Sequence, residues 1–233
     1  MKLKTLVPKK IRKKLHRIYR FNPIFEWIRS CLFLRTLLQF QCRTGVFSVT
    51  IEKDDILIDC GANVGDVTSQ MANTGALVYA FEPDPFAYNV LKKRFKYFKN
   101  VKILNAGIMD QTGQFSFRLY ASDVKDSIDC SVGSSFLAEK NTDTSGIIKV
   151  DCIRLTDFLL ALGKKVKLIK MDIEGAEIAV LNDLFSNSVI DCVDYMLVET
   201  HERQMPVIKV EIDKIKGFIE KQSLGDKIRL DWV

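Results

Sequence analysis

A glycine-rich turn after an apolar run is the first feature of this chain that could do chemistry. Residues 56–66 read ILIDCGANVGD. Dinucleotide-binding turns use the spacing G-x-G-x-x-G, and phosphate loops place a lysine after the last glycine. This turn has the spacing G-x-x-x-G and is followed by Asp66. The spacing disfavours a nicotinamide dinucleotide, and the acid disfavours a phosphate.

The turn fits S-adenosylmethionine (SAM) better, because SAM carries an ammonium, a carboxylate and a positive sulfonium. Asp59 is predicted to orient or pair with the ammonium, directly or through water. Gly61 allows close approach of the backbone, and Asn63 tolerates a positive φ better than most residues. Together with Ala62 and Gly65, these residues form the predicted cofactor turn.

Two further strand ends carry polar groups that suit the rest of such a cofactor. Glu82 lies 21 residues after Gly61, where an acid at the end of the next strand can bind ribose hydroxyls. We predict that Glu82 and the adjacent Pro83 contact the ribose. At the end of the third strand, the side chain of Asn105 and the N–H of Ala106 are predicted to bind the adenine edge.

Alternating strand and helix patterns place these residues at one edge of a sheet. Strands are predicted over 46–51, 55–60, 76–83, 101–108, 114–120, 147–155, 166–172 and 193–201. Helices are predicted over 66–75, 85–98, 156–163, 173–185 and near 209–221, with an edge strand after the last helix. The alternation predicts a doubly wound, mostly parallel α/β sheet. The segment 114–150 interrupts it and is expected to cover the acceptor.

Positive charge is concentrated at the beginning of the chain. Residues 1–30 hold ten Lys and Arg against one acid, whereas the other 203 residues hold 25 against 28. We therefore predict a basic helical N-terminal arm over 1–45, including a helix over Glu26–Phe40, and one further domain over 46–233. The arm either packs on the body or contacts an anionic membrane or an acidic partner. Because the body is mildly acidic, nucleic acid is not favoured as a partner.

The cysteines and the apolar segments bear on the expected location. Six cysteines are scattered without a C-x-x-C pair, which favours reduced thiols over a zinc site or a disulfide framework. No stretch approaches the roughly 20 apolar residues that span a membrane. We expect a cytoplasmic protein that is either free in the cytoplasm or peripheral to the inner face of the membrane.

Four segments together closely resemble the FkbM family of SAM-dependent methyltransferases: IDCGANVGD, FEPDPFAYNVLKKR, KLIKMDIEGAE and YMLVETH. The block IKMDIEGAE is similar to the hallmark K-I/M-D-V/I-E-G-x-E of that family, and the match covers about residues 55–202. The resemblance implies a Rossmann-like class I methyltransferase fold and methyl transfer, typically to a hydroxyl oxygen. Many members act on sugars of polysaccharides or glycolipids, or on natural products, so the implied acceptor is a saccharide or related glycan.

A sugar hydroxyl is a poor nucleophile and needs a base within hydrogen-bond reach during transfer. The candidates at the ends of the fourth and fifth strands are Lys170, Asp172, Glu174, Glu199 and His201. Asp172 is expected to face the transferred methyl group, and His201 is a base candidate because of its strand-end position. Glu177 is expected instead to stabilise the first turn of its helix.

Three alternatives stay open. A divalent Mg or Mn ion held by Asp172, Glu199 and His201 is possible but not favoured. The chain could be a non-catalytic SAM-binding module that its arm docks to a membrane-associated glycan assembly. RNA methylation is disfavoured, because phosphate binding needs basic residues near the cleft whereas the body is mildly acidic. In addition, DIEG replaces the usual Asn/Asp-Pro-Pro-aromatic block.

Overall fold

A computed structural model describes residues 22–24, 27, 37–120, 144–200 and 208–232. Its strands are β1 (Leu37–Cys42), β2 (Gly45–Thr50), β3 (Ile56–Cys60), β4 (Leu77–Phe81), β5 (Val101–Leu104), β6 (Gly107–Met109), β7 (Gly113–Tyr120), β8 (Thr144–Arg154), β9 (Val166–Met171), β10 (Val193–Val198) and β11 (Ile228–Arg229). Its helices are α1 (Asp66–Ala72), α2 (Pro85–Arg94), α3 (Leu155–Leu162), α4 (Glu177–Ser186) and α5 (Lys209–Lys221), with a 3₁₀ turn over Val189–Cys192.

A six-stranded sheet in the order β11-β10-β9-β3-β4-β5 forms the centre of the fold. All of its neighbouring strands pair in parallel. The chain builds outward from β3 through β4 to β5, and then from β9 through β10 to β11 on the other side. The strand order therefore reverses between β3 and β9, which is where open α/β sheets bind ligands. The predicted doubly wound, Rossmann-like fold class is confirmed.

Both faces of the sheet are covered, which explains the continuous apolar runs of its strands. On one face, Ile56 and Ile58 belong to the main core together with residues of α3, α4 and α5. On the other face, Leu57 packs in a second cluster with Leu38 of β1 and Met71 of α1. Every residue of β3 is buried, so the turn that follows it starts from a rigid support.

The prediction of a helix over Glu26–Phe40 is wrong at its end, because 37–40 belong to strand β1. Burial alternates along this strand, with Leu38, Phe40 and Cys42 buried, as expected for a period of two. Strand β1 pairs antiparallel with β2, so the hairpin crosses the boundary predicted between residues 45 and 46. Most of the arm lies outside the described residues, and the division into two domains stays a prediction. No helix in the described part of the chain is long and apolar enough to cross a membrane.

The single strand predicted over 101–108 is also wrong, because it divides between two sheets. Strand β5 ends the main sheet, whereas β6 pairs in parallel with β8 in a three-stranded sheet of order β6-β8-β7. Residues 105–106 form the crossing between the sheets. This second sheet, which includes the expected strands at 114–120 and 147–155, stands beside the carboxyl ends of the main strands.

Candidate functional site

A cleft that is open to solvent lies at the carboxyl ends of β3, β4 and β9. The cleft is lined by Gly61, Asn63, Glu82, Pro83, Gly107, Ile108, Phe117, Asp172, Ile173 and Glu174. Six of these ten residues are site candidates from the sequence. The lining residues that sequence reasoning missed are Gly107, Ile108, Phe117 and Ile173, of which only Phe117 lies in a segment expected to cover the acceptor.

The backbone at Gly61 passes against the loop that follows β9. Gly61 has a φ of 74°, and its N–H donates to the carbonyl of Phe81 at 3.1 Å. A Cβ atom on Gly61 would lie 1.8 Å from the carbonyl oxygen of Asp172. That loop is itself held, because the N–H of Asp172 donates to the carbonyl of Cys60 at 3.1 Å. Glycine is therefore required here by both φ and space.

Two other members of the predicted cofactor turn support it from behind. Gly65 has a φ of 89°, and a Cβ there would lie 2.5 Å from side-chain atoms of Leu91 and Phe95. Ala62 is buried in a cluster with the same two side chains. Neither Gly65 nor Ala62 lines the cleft. Both residues pack the turn against α2, and their predicted contact with the cofactor stays a prediction.

Glu82 joins the ends of β3 and β4 through its carboxylate. One oxygen accepts from the N–H of Asn63 at 2.6 Å, and the other accepts from the N–H of Asp84 at 2.8 Å. Burial, partly offset by these two hydrogen bonds, raises the pKa of Glu82 to about 8. Glu82 keeps contact with the cleft, as the predicted ribose role requires.

Asn105 fixes the backbone next to Glu82. Its side-chain amide donates to the carbonyls of Glu82 at 2.8 Å and Pro83 at 3.3 Å. Ala106 is buried, and neither Asn105 nor Ala106 lines the cleft. The adenine contact expected of these two residues stays a prediction, whereas the support that Asn105 gives to the ribose end is direct.

The raised pKa of Glu82 gives the protein a specific pH dependence. An unfolded glutamate titrates near 4.5 and the folded one near 8, so between these values the folded state holds one more proton. The contribution of Glu82 to stability is full below about pH 4.5 and is lost as pH rises through about 8, at about 1.4 kcal/mol per pH unit. Urea unfolding between these pH values should show this slope in the wild type, and the slope should be absent in Glu82→Gln. Equal slopes in the two proteins would contradict the burial of this carboxyl.

Lys170 lies under the glycine turn, with its side chain 4% exposed. Its ammonium donates to the carbonyl of Gly61 at 2.7 Å and lies 3.3 Å from Asp59 Oδ1 and 3.8 Å from Asp172 Oδ2. Burial acts to lower the pKa of Lys170, but the two carboxylates outweigh it and raise this pKa above its usual value. In this structure the ammonium of Lys170 positions the turn, and its predicted part in catalysis stays a prediction.

Asp59 is also located below the turn rather than on its surface. Its side chain is fully buried, and Oδ2 accepts from the hydroxyl of Thr68 at 2.6 Å while Oδ1 faces Lys170. In this structure Asp59 supports the turn, and its predicted pairing with the cofactor's ammonium, directly or through water, stays a prediction. Thr68, a polar residue on the buried side of α1, gave no signal in the sequence that pointed to this role.

Glu177 shapes the loop that carries Glu174 into the cleft. Its carboxylate oxygens accept from the N–H of Ile173 at 2.9 Å and of Gly175 at 2.8 Å. Glu174 has a φ of 55° and Gly175 a φ of 111°, so the predicted helix over 173–185 begins only at Glu177. Glu177 lies in the first turn of α4, as its expected interaction with the helix dipole requires, and it also fixes the preceding loop through these two hydrogen bonds. Strained backbone of this kind is concentrated at functional sites.

The remaining strand-end candidates are not brought together by the described structure. Glu199 follows β10 and donates its N–H to the carbonyl of Met171 at 2.9 Å, but it does not line the cleft. His201 lies outside the described residues, so its role as a base stays a prediction. Within the described ranges, no group of three or more His, Cys, Asp and Glu side chains could hold a metal. The metal hypothesis includes His201 and also stays untested.

The residues that line the cleft form two chemically different sets. Glycine backbone, Asn63 and the carboxylate of Glu82 form one set, which suits a polar cofactor. Asp172 and Glu174, with the apolar side chains of Ile108 and Phe117, form the other. Carboxylates beside an apolar wall can bind a hydroxyl group and accept its proton.

Comparisons with known proteins find similarity to methyltransferases. The family model described as the methyltransferase FkbM domain matches residues 59–228. "Methyltransferase 1" of Beauveria bassiana is 29% identical over 197 residues, which cover 77% of this chain and 76% of that protein. "Hexuronic acid methyltransferase AglP" of Haloferax volcanii is 28% identical over 156 residues, which cover 64% of this chain and 57% of that protein.

Among solved structures, a precorrin-6y C5,15-methyltransferase from Geobacter metallireducens matches with a TM-score of 0.38 and 12% identity. The match covers 73% of this chain and 63% of that one. A TM-score of this size is too low to support a conclusion about this chain.

Proposed function

This chain belongs to the FkbM family of methyltransferases, and from that membership we propose that it is a SAM-dependent O-methyltransferase that acts on a hydroxyl of a saccharide or a related glycan or natural product. The observation that carries the proposal is the single cleft that is lined by Glu82 and Asn63 together with Asp172 and Glu174. The name of the Haloferax relative, a hexuronic acid methyltransferase, supports a saccharide acceptor.

The cleft residues Gly61, Glu82 and Pro83 fit SAM. Gly61 provides bare backbone, because a Cβ atom has no room there. Glu82 ends β4 with its carboxylate in the cleft and can accept hydrogen bonds from ribose hydroxyls, with Pro83 beside it. When bound, SAM supplies an electrophilic methyl group. Asp59 and Lys170 hold the turn in shape from below.

Asp172 and Glu174 are our candidates for binding the acceptor hydroxyl. Each can accept a hydrogen bond from an acceptor hydroxyl, which orients its oxygen and takes up the proton as the new bond to the methyl group forms. The side chain of Asp172 is 27% exposed, so it is reachable from solvent. Glu177 holds Glu174 in the cleft through the loop backbone.

We further propose that the reaction takes place in the cytoplasm. Cys42, Cys60, Cys152 and Cys192 are free thiols, which is typical of a reducing compartment.

The residues assigned to the cofactor and those assigned to the acceptor can be tested separately. In calorimetry, Glu82→Ala should weaken SAM binding by about tenfold or more, because a charged or polar hydrogen-bond partner of the ribose is lost. In a methyl-transfer assay on a panel of saccharides, Asp172→Asn and Glu174→Gln should each lower the rate by about 10²- to 10⁴-fold and leave SAM affinity nearly unchanged. Asp191→Asn, at a carboxylate 87% exposed, is the matched control and should be neutral.

Specific outcomes would overturn these assignments. Unchanged SAM affinity in Glu82→Ala removes the cofactor assignment. Full methyl transfer in both Asp172→Asn and Glu174→Gln removes the acceptor assignment. SAM binding without methylation of any acceptor favours a non-catalytic SAM-binding module.

A further inference from the structure

Five lysines form a continuous basic stretch at one edge of the main sheet. They are exposed side chains from the last turn of α2, the following loop and the edge strand β5: Lys92, Lys93, Lys96, Lys99 and Lys102. We call them the lysine surface. Residues 85–109 contain no Asp or Glu, although the body as a whole is mildly acidic. The positive charge here is therefore local.

The charge of the lysine surface is not balanced by nearby acids. Within the described ranges, no carboxylate lies within 4.0 Å of any of its five ammonium groups. Other surface lysines do have such partners, for example Lys165 with Asp194 at 2.6 Å and Lys214 with Glu211 at 2.7 Å. A lysine on an edge strand can prevent strand pairing, but only Lys102 is on the strand.

Three tyrosine rings of this region each lie beneath a lysine of the surface. The ammonium groups of Lys92, Lys96 and Lys102 lie 5.8, 5.2 and 5.1 Å from the ring centroids of Tyr88, Tyr97 and Tyr79, respectively. Proteins that bind single-stranded nucleic acid leave such rings open for base stacking. With an ammonium over each ring, recognition by this surface depends on charge.

The use of lysine rather than arginine further limits which kind of anionic partner the surface suits. Arginine is suited to bidentate recognition of an individual phosphate, whereas lysine is a point charge on a flexible stem. The arginine of this segment, Arg94, is buried and bound to the carbonyl of Val64 and to Asp66, each at 2.9 Å. The lysine surface thus suits negative charge spread over many groups.

We propose that the lysine surface binds an anionic lipid membrane. Each lysine near such a surface adds to the attraction, and the attraction is screened by salt. The proposal does not depend on the reaction catalysed.

Vesicle co-sedimentation of the full chain tests the proposal. Phosphatidylcholine vesicles with and without phosphatidylserine are compared at low and high salt. The charge-reversal variant Lys93→Glu, Lys96→Glu, Lys99→Glu should lose at least about tenfold in partitioning to the anionic vesicles. The neutral variant with glutamine at the same three positions should show a smaller loss, and circular dichroism should confirm that both variants fold.

A matched control keeps net charge equal. Lys164, Lys209 and Lys221 are exposed lysines elsewhere on the surface, and their reversal to glutamate should change partitioning by less than about threefold. Equal losses in the two reversal variants would mean that only net charge matters and would overturn the proposal. Wild-type partitioning in the Lys93, Lys96, Lys99 variant would also overturn it. Loss of RNA or heparin binding without loss of vesicle binding would assign the surface to a soluble polyanion instead.

Discussion

Replacement of Gly61 with alanine is expected to lower the free energy of unfolding by at least about 4 kcal/mol and to abolish SAM binding. The new Cβ atom would lie 1.8 Å from the carbonyl oxygen of Asp172, so the loops after β3 and β9 must separate. A separation costs the hydrogen bond from Asp172 N–H to Cys60 and disturbs the ammonium of Lys170, which binds the carbonyl of Gly61. The φ of 74° adds about 1–2 kcal/mol of strain for any residue with a side chain.

The variant Gly163→Ala separates the steric clash from the backbone strain as causes of the lost stability. Gly163 has a similar φ of 59°, but nothing lies within 4 Å of a Cβ built on it. Its substitution should cost only the backbone strain, about 1–2 kcal/mol. Urea unfolding of both variants measures the difference, and calorimetry with SAM measures the loss of binding. Equal costs for Gly61→Ala and Gly163→Ala would show that the two loops do not meet as described.

Lys170→Met is expected to destabilise the protein by about 3–5 kcal/mol, because it removes the cation from two carboxylates in or near the interior. Asp59 is fully buried, and its other strong partner is only the hydroxyl of Thr68. The loss should become smaller in acid, where an uncompensated Asp59 can take up a proton. Chemical unfolding across the acidic range is the measurement.

Two further variants test whether charge compensation is the cause. In Lys170→Met with Asp59→Asn, part of the lost stability should return, because no buried charge stays unpaired. Lys167→Met is the matched surface control. Lys167 pairs with Asp194 at 3.1 Å, but both side chains are 26% exposed, so its loss should cost less than about 1 kcal/mol. A Lys170→Met protein as stable as the wild type would contradict the described burial of this cation.

The cofactor residues of the cleft could be predicted from sequence because their determinants are local. A glycine pair around Asn63 indicates a turn with positive φ, and Asn63 has a φ of 50°. The position of Glu82 follows from the length of one strand–helix–strand unit, and both residues line the cleft. The helix over 26–40 was wrong because its apolar residues also satisfy the alternation of a strand, and only the pairing of β1 with β2 distinguishes the two.

Charged residues were harder to interpret, since their roles depend on partners far along the chain. Lys170 acts on the carbonyl of Gly61 from 109 positions away. Asp59 and Lys170 belong to neighbouring strands, and the sequence alone does not show that both are buried. A buried ion pair fixes a turn, whereas the same two residues at the surface would be candidates for cofactor binding and catalysis.

The sequence by itself thus determined the fold class, the family and the strand ends that face the ligand, because periodicity and turn chemistry are properties of short segments. The tertiary structure decided which polar groups reach the cleft and which lie beneath it. Burial and charge compensation arise only when distant strands come together. These two properties distinguish the residues that line the cleft, which are Glu82, Asp172 and Glu174, from those that support its loops, which are Asp59, Lys170 and Glu177.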